Sequence, residues 1–474
     1  MALFLISIVL LVAGYFVYGK FVEKVFGVDP ERPTPAMSME DGVDYTPIGW
    51  TKVFLIQLLN IAGLGPIFGA IAGALFGPVA FIWIVLGCIF AGAVHDFFAG
   101  MLSVRHNGAS VSEIVGIYLG DAARQIMRVF SVVLLVLVGT VFMLGPANLL
   151  AALTPNTMNT SFWLILIIAY YFLATILPID KIIGKLYPLF GAVLLIMAVG
   201  IGGGLVIKGY TIPGNIFMNT HPKGLPIWAM LFVTIACGAI SGFHATQSPM
   251  MARCVTNEKY GRKVFYGAMI AEGIIALIWA AAAIAFFNGS EGLAAAMANG
   301  GPGAVVHTVS TSILGVVGGL LAVLGVIACP ITSGDTAFRS ARLTIADALN
   351  LGQKKIANRL YIAVPLLTIG ILISRVDFNI VWRYFAWSNQ TLAMLMLWAA
   401  SAYLVKHGKF HWITTVPAVF MTAVSATYIM QAPEGFKLSV RIAYPIGIMA
   451  AIVIFGLFMI KSSKGNGRKS EAEV

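Results

Sequence analysis

The sequence predicts an all-α integral membrane protein of about thirteen transmembrane helices, two of them broken. Three observations carry that expectation. First, the 474 residues are 59% hydrophobic and only 10% charged, with a mean hydropathy of +0.92. Soluble domains carry roughly a quarter charged residues, so one water-facing globule cannot be built from this chain. Second, the apolar runs are long and continuous. Helical spans need about 20 apolar residues, whereas membrane strands alternate over roughly 10. Third, the basic residues alternate in density from one connection to the next, as helices crossing back and forth require.

The runs follow in order. The first, 3–19, has no positive leader before it and no small-residue cleavage site after it, so it reads as a span rather than a removable signal. Then come 53–76, 79–104, 125–152, 162–178, 186–207 and 226–249. The remaining runs are 263–287, 304–330, 358–374, 380–404, 412–430 and 441–460. With the N-terminus outside and the C-terminus cytoplasmic, 24 of the 30 Lys and Arg residues fall on the cytoplasmic side. The net charge of +11 is therefore orientation, not nucleic-acid affinity. The basic tail 461–474 reads as disordered and solvated. Cys88, Cys237, Cys254 and Cys329 lie in or beside apolar runs without metal-type spacing, so neither a disulfide framework nor a metal site is predicted.

Two spans are irregular. The second contains NIAGLGPIFGAIAG, 60–73, with Gly63, Gly65 and Pro66 in its middle. The seventh contains IACGAISGFHATQSP, 235–249, where Gly238 and Gly242 bracket Ser241 and His244 follows. Glycine weakens a helix by about 1 kcal/mol relative to alanine, and proline removes a backbone donor. In lipid the freed groups need partners or a polar cavity. The two interruptions lie five spans apart, so their helices run in opposite directions. That pattern predicts inverted repeats with a substrate site between them. Gly69 and Gly73, at small-xxx-small spacing, read instead as packing residues.

Ionisable groups inside spans are costly and mark function. His95 and Asp96 lie in the third span, His244 in the seventh, Glu272 in the eighth, and Thr332, Ser333 and Asp335 end the ninth. Asp96, Glu272 and Asp335 are candidates for coupling to a cation, with His95 as a titratable neighbour. Thr332 and Ser333 suit alkali-cation coordination. Each has a structural alternative. Asp96 could pair with Arg105, Asp335 could cap a following helix, Glu272 could bond to backbone, and the hydroxyls could bond back to helix carbonyls. His106 and His307 carry little weight. There is no GxxxxGK[ST] and no HExxH, so no enzyme chemistry or ATP-driven pumping is expected.

These motifs resemble the carbon starvation family of bacterial inner-membrane transporters. The blocks that carry the resemblance are YGKFVEKVFGVDPERPTPAMSMEDGVDYTP (18–47), NIAGLGPIFG, GAVHDF, VRHNG (104–108), TIACGAISGFHA (234–245), SGDTAFRSAR (333–342) and YFAWSNQTLAM (384–394). The resemblance implies uptake of peptides or small carboxylates such as pyruvate under carbon limitation. It also implies a five-plus-five inverted-repeat core of the LeuT/APC type. On that scheme 1–52 is a leading helix and loop, 53–207 the first repeat, 226–404 the second, 412–460 two trailing helices and 461–474 the tail. This chain lacks a hairpin that longer members carry between the sixth and seventh spans. After GFHA it reads TQSPMMARC where relatives are rich in Ser, Thr and Gly.

The expected function is cation-coupled import, driven by H+ or Na+, with no other cofactor. Asn60, Gly63, Gly65, Ser241, Gly242, His244, Asn389 and Gln390 would shape the substrate site. His95, Asp96, Glu272, Thr332, Ser333 and Asp335 would serve ion coupling. The partners are a small-molecule substrate and membrane lipid, with a homo-oligomer left open and nucleic acid excluded. The alternatives are a channel or a nutrient-sensing receptor that binds the same ligands without coupled transport.

Overall fold

A computed structural model of the chain describes all residues except 43, 156, 177–179, 350, 354 and 471–474, and gives the backbone alone for 180–188, 323 and 463–470. Among the described residues there is no strand, only an isolated bridge between Ile48 and Val255. Every predicted run has a helical counterpart, but the count of thirteen crossings is not reached by length and composition. Nine described helices are long and apolar enough to cross a membrane, and a bent pair makes ten. The other three fall short for different reasons. Thr160–Ile176 has 17 residues. The seventh run is interrupted. Phe378–Lys406 spans 29 residues but carries more polar groups.

Burial sorts the helices into layers. In Val79–Arg105 and Glu258–Phe286, 83% of the apolar window is covered by protein. In Ala2–Phe26 and Ile356–Ile373 it is 28%, and in Val440–Ser462 it is 17%. The third and eighth spans are therefore the centre of the bundle, and the first, tenth and thirteenth are its lipid-facing rim. Asp96 and Glu272 lie in the two central helices.

The second span is Trp50–Ile61 followed by Gly65–Phe76, bent by 56°. Its start and end fix its direction against the seventh. Thr46 donates its backbone N–H to Arg253 and Ile48 to Cys254, beyond the end of the seventh span. At the other end, Thr220 donates to the carbonyl of Phe76, just before the seventh span begins. The two broken elements thus run antiparallel.

Four elements differ from the sequence reading. Val111–Leu119 is a short helix closed by a capping box between Ser110 and Glu113; the Ser-x-x-Glu signal was available. Ser290–Ala298 is a second short helix. The ninth span does not stop near 330. It runs from Gly301 to Ala348, with a non-helical residue at Gly315 (φ +63°), so Asp335 sits inside a helix and caps nothing. Finally, helix Val440–Ser470 takes in most of the tail expected to be disordered. Residues 471–474 of that tail lie outside the described set.

Candidate functional site

The first break is residues 62–64. Its geometry follows from what crowds it. A side chain on Gly63 would run into the ring of Phe142, and one on Gly65 into the side chain of Cys237. The break also frees a carbonyl. Gly63 donates its N–H to Ile61, not to Leu59, and the Leu59 carbonyl instead faces Ser333 Oγ at 3.5 Å. Asn60 is buried in the last turn before the break.

The second break is residues 235–241. Gly238 has φ +89°, a left-handed conformation that strains any other residue. A side chain there would meet Ala276 of the eighth span. Helix Gly242–Ala252 restarts the span, with extended Ser241 ahead of it. The break is held by Asn389 of the eleventh span. Its Oδ1 accepts from the Phe243 backbone N–H at 2.6 Å and from Ser241 Oγ at 3.1 Å. Its Nδ2 donates to Ser241 Oγ at 2.9 Å and to Cys237 Sγ at 3.4 Å. Gly242 must be small because the Asn389 carbonyl and Leu392 lie against it.

The breaks touch each other. Gly65 lies on Cys237, Gly69 on the Thr234 carbonyl and Gly73 on Ile235. Gly69 and Gly73 are thus packing residues.

Beside this contact lies a string of buried ionisable groups. His95 Nδ1 is 2.8 Å from Asp96 Oδ1, and His244 Nδ1 is 2.8 Å from Asp96 Oδ2. His244 Nε2 is 3.2 Å from Glu272 Oε2. All four side chains are 0% exposed. The acids and imidazoles of this string depend on one another for partners, since an isolated buried charge is prohibitively costly. Asp96 therefore does not pair with Arg105, the structural alternative open in the sequence. Arg105 instead binds Glu258 at 3.0 Å, Tyr403 Oη at 2.6 Å and the Gly27 carbonyl.

The remaining residues are spread out. Thr332 Oγ1 bonds back to the Cys329 carbonyl at 2.8 Å. Asp335 pairs with Arg339 at 3.1 Å. Gln390 does not join Asn389 but donates to the Phe232 carbonyl, ahead of the break. The structure thus brings together Gly65, Ser241, Gly242, His244 and Asn389 with His95, Asp96 and Glu272. Ser333 adjoins the first break, and Asp335 lies farther along its own helix. Two residues were missed. Cys237 lies where the breaks meet, and its place inside IACGAIS was the available signal. Gln57, one turn before Asn60, is buried with neither side-chain atom hydrogen-bonded; a lone amide in an apolar run was its signal.

A separate cavity of about 900 Å³ lies between the fourth, fifth and tenth spans, lined by Asn148, Thr160, Phe172 and Arg375 among others. It does not include the ionisable string.

Comparisons with known proteins bear on the family and the fold. The family model for carbon starvation protein CstA matches residues 1–162, 151–316 and 283–428. A membrane protein of Haemophilus influenzae is 46% identical over 349 residues, covering 63% of this chain and 94% of its own. Peptide transporter CstA of Campylobacter jejuni is 25% identical over 575 positions, covering 93% of this chain and 81% of its own. That aligned stretch is longer than this chain, so the relative carries insertions within it. Pyruvate/proton symporter BtsT of Escherichia coli is 27% identical over 340 residues, covering 57% of this chain and 47% of its own. Among solved structures, the inward-facing conformation of Mhp1 superposes with a TM-score of 0.55 at 16% identity, covering 87% of this chain and 91% of that one. At that identity the likeness speaks for the fold. With the family model spanning nearly the whole length, the chain belongs to the carbon starvation protein CstA family.

Proposed function

We propose that this protein is a cation-coupled secondary transporter importing peptides or a small carboxylate such as pyruvate. The observation that carries the reading is the contact between two antiparallel helix breaks, with Gly65 lying on Cys237. Broken helices present N-termini that attract anionic groups and carbonyls that attract cations. Here the helix restarting at Gly242 supplies an N-terminus, and Leu59 supplies a carbonyl released by the break. Substrate falls to Asn60, Gly63, Gly65, Ser241, Gly242, His244 and Asn389, with Gln390 behind them.

Coupling falls to two places. One is the group His95, Asp96 and Glu272, the natural station for a proton. The other is the Leu59 carbonyl with Ser333, flanked by Thr332 and Asp335 on the same helix, whose oxygens suit a sodium ion. The names of the relatives favour both substrate classes. The fold likeness to Mhp1 supports alternating access about this centre. The split of basic residues supports thirteen crossings with the N-terminus outside and the C-terminus cytoplasmic, and the family supports the bacterial inner membrane.

The test is uptake of radiolabelled pyruvate and dialanine into proteoliposomes under an imposed proton or sodium gradient. Accumulation above equilibrium that collapses with one gradient is expected. Flux without gradient dependence would favour a channel, and binding without flux a receptor.

A further inference from the structure

We propose that Cys237, His244 and Glu272 form a binding site for a thiophilic divalent cation of the zinc class, at the junction of the seventh and eighth spans. One potential ligand atom from each lies within 4.8 Å of the other two, and all three side chains are buried. Three independent features point to an ion.

The first is an orphaned pair. His244 Nε2 and both oxygens of Glu272 are enclosed and lack hydrogen bonds, although the nitrogen and one oxygen stand only 3.2 Å apart. When Nδ1 of His244 donates to Asp96, a neutral ring turns its Nε2 lone pair toward the carboxylate. Two acceptors facing each other repel unless a proton or a metal ion lies between them. Buried polar atoms without partners are costly, about 1–3 kcal/mol each, so a filled site removes a cost the empty one bears.

The second is orientation. A metal-bound histidine almost always gives its other ring N–H to a carboxylate, which fixes the tautomer and raises ligand basicity. Asp96 does this for His244 at 2.8 Å, and His95 steadies Asp96 from its other oxygen. Asn389 Nδ2 points at Cys237 Sγ, placed to stabilise a thiolate.

The third is the donor set. Sulfur, imidazole nitrogen and carboxylate oxygen suit Zn²⁺, Co²⁺ or Cd²⁺, whereas Mg²⁺ and Ca²⁺ prefer all-oxygen shells. Tetrahedral zinc with nitrogen and oxygen bonds of about 2.1 Å sets those ligands roughly 3.4 Å apart, near the spacing found here. Cys237 needs a shift of about 1 Å to close the set. On binding, the Cys237 thiol releases its proton to solvent. The thiolate and carboxylate then carry two negative charges against the ion's two positive ones, a neutral group in a low-dielectric interior. A fourth position stays open for water. The expectation of no metal rested on sequence spacing; Cys237 and Glu272 are 35 residues apart and meet only through the fold.

The test uses the purified full-length protein in detergent, stripped with chelator and titrated with Co²⁺. One ion per chain is expected, with thiolate-to-cobalt charge-transfer absorption. C237S should abolish that band. E272Q, close in volume and a second probe if C237S folds poorly, should weaken binding by more than about 100-fold, beyond the loss of an outer-shell partner. C254S should change nothing, because burial pushes the Cys254 thiol up to about 11 and it lies outside the group. No stoichiometric binding in the wild type, or a charge-transfer band that persists in C237S, would overturn the proposal. The readout needs no substrate and no flux, so it stands or falls apart from the transport reading.

Discussion

The breaks at 62–64 and 235–241 lie in antiparallel elements and touch each other, yet they are built from different materials. The first is apolar. Ala62, Gly63 and Leu64 make the bend, and it is shaped by what packs on it, Phe142 above all. The second is polar and cross-linked. Asn389 ties Cys237, Ser241 and Phe243 together, and the string from His95 to Glu272 runs alongside. The first break supplies form and a free carbonyl; the second supplies hydrogen bonds and ionisable groups. Two breaks that meet therefore need not share a chemistry, because a helix can be interrupted by packing or by side-chain hydrogen bonds.

That contrast can be broken first at its most costly point. Asp96→Asn removes the acid that faces both His95 and His244. Losing one member of a buried charge group costs about 3–5 kcal/mol, so thermal unfolding should drop markedly and gradient-driven uptake should vanish. An unchanged melting temperature would mean that Asp96 does not hold the string together.

Gly238→Ala comes next. It forces a left-handed residue, about 1–3 kcal/mol of strain, and presses on Ala276. Gly203→Ala, inside a helix and facing open space, is the control and should stabilise by up to about 1 kcal/mol. The first break should respond differently. Gly63→Ala pushes on a ring rather than straining the backbone, costing about 1–3 kcal/mol by overpacking. Adding Phe142→Ala should recover part of that loss, read as a coupling energy in a double-mutant cycle. Additive losses would show that Phe142 does not shape the break.

Asn389→Ala should cost about 1–3 kcal/mol by leaving the Phe243 N–H unpaired, and should impair uptake more than stability. Ser333→Ala is the mildest change, about 0.5–1.5 kcal/mol at most. Under a sodium gradient it should lower uptake, whereas under a proton gradient it should leave uptake intact. Equal loss under both would deny that position an ion-specific part.

Much of this was legible in the residues. Helix breaks show in sequence because glycine and proline act locally, so 60–66 and 238–244 were found without a fold. The ionisable residues of the centre also stood out, since an acid or histidine in an apolar run is costly unless it is partnered. What could not be read was pairing. Asp96 shares its helix with Arg105, yet Arg105 turns to Glu258, 153 residues later. Asn389 and Cys237 are 152 residues apart, and nothing local announces their bond. Helix ends were also hidden. Asp335 followed by an amphipathic stretch imitates a cap, and only tertiary packing lets the ninth span continue to Ala348.

The central claim is that the meeting of the two breaks is where substrate binds. Cys237 reports on it directly, being the side chain on which Gly65 rests. With Cys88, Cys254 and Cys329 replaced, Cys237 would be the sole thiol, and its labelling by a membrane-permeant maleimide can be followed in proteoliposomes. Whichever of pyruvate or dialanine is accumulated in the uptake assay should slow that labelling in the presence of the coupling cation, and the other should not. Labelling at one rate with and without a transported ligand would contradict the claim and move the site elsewhere.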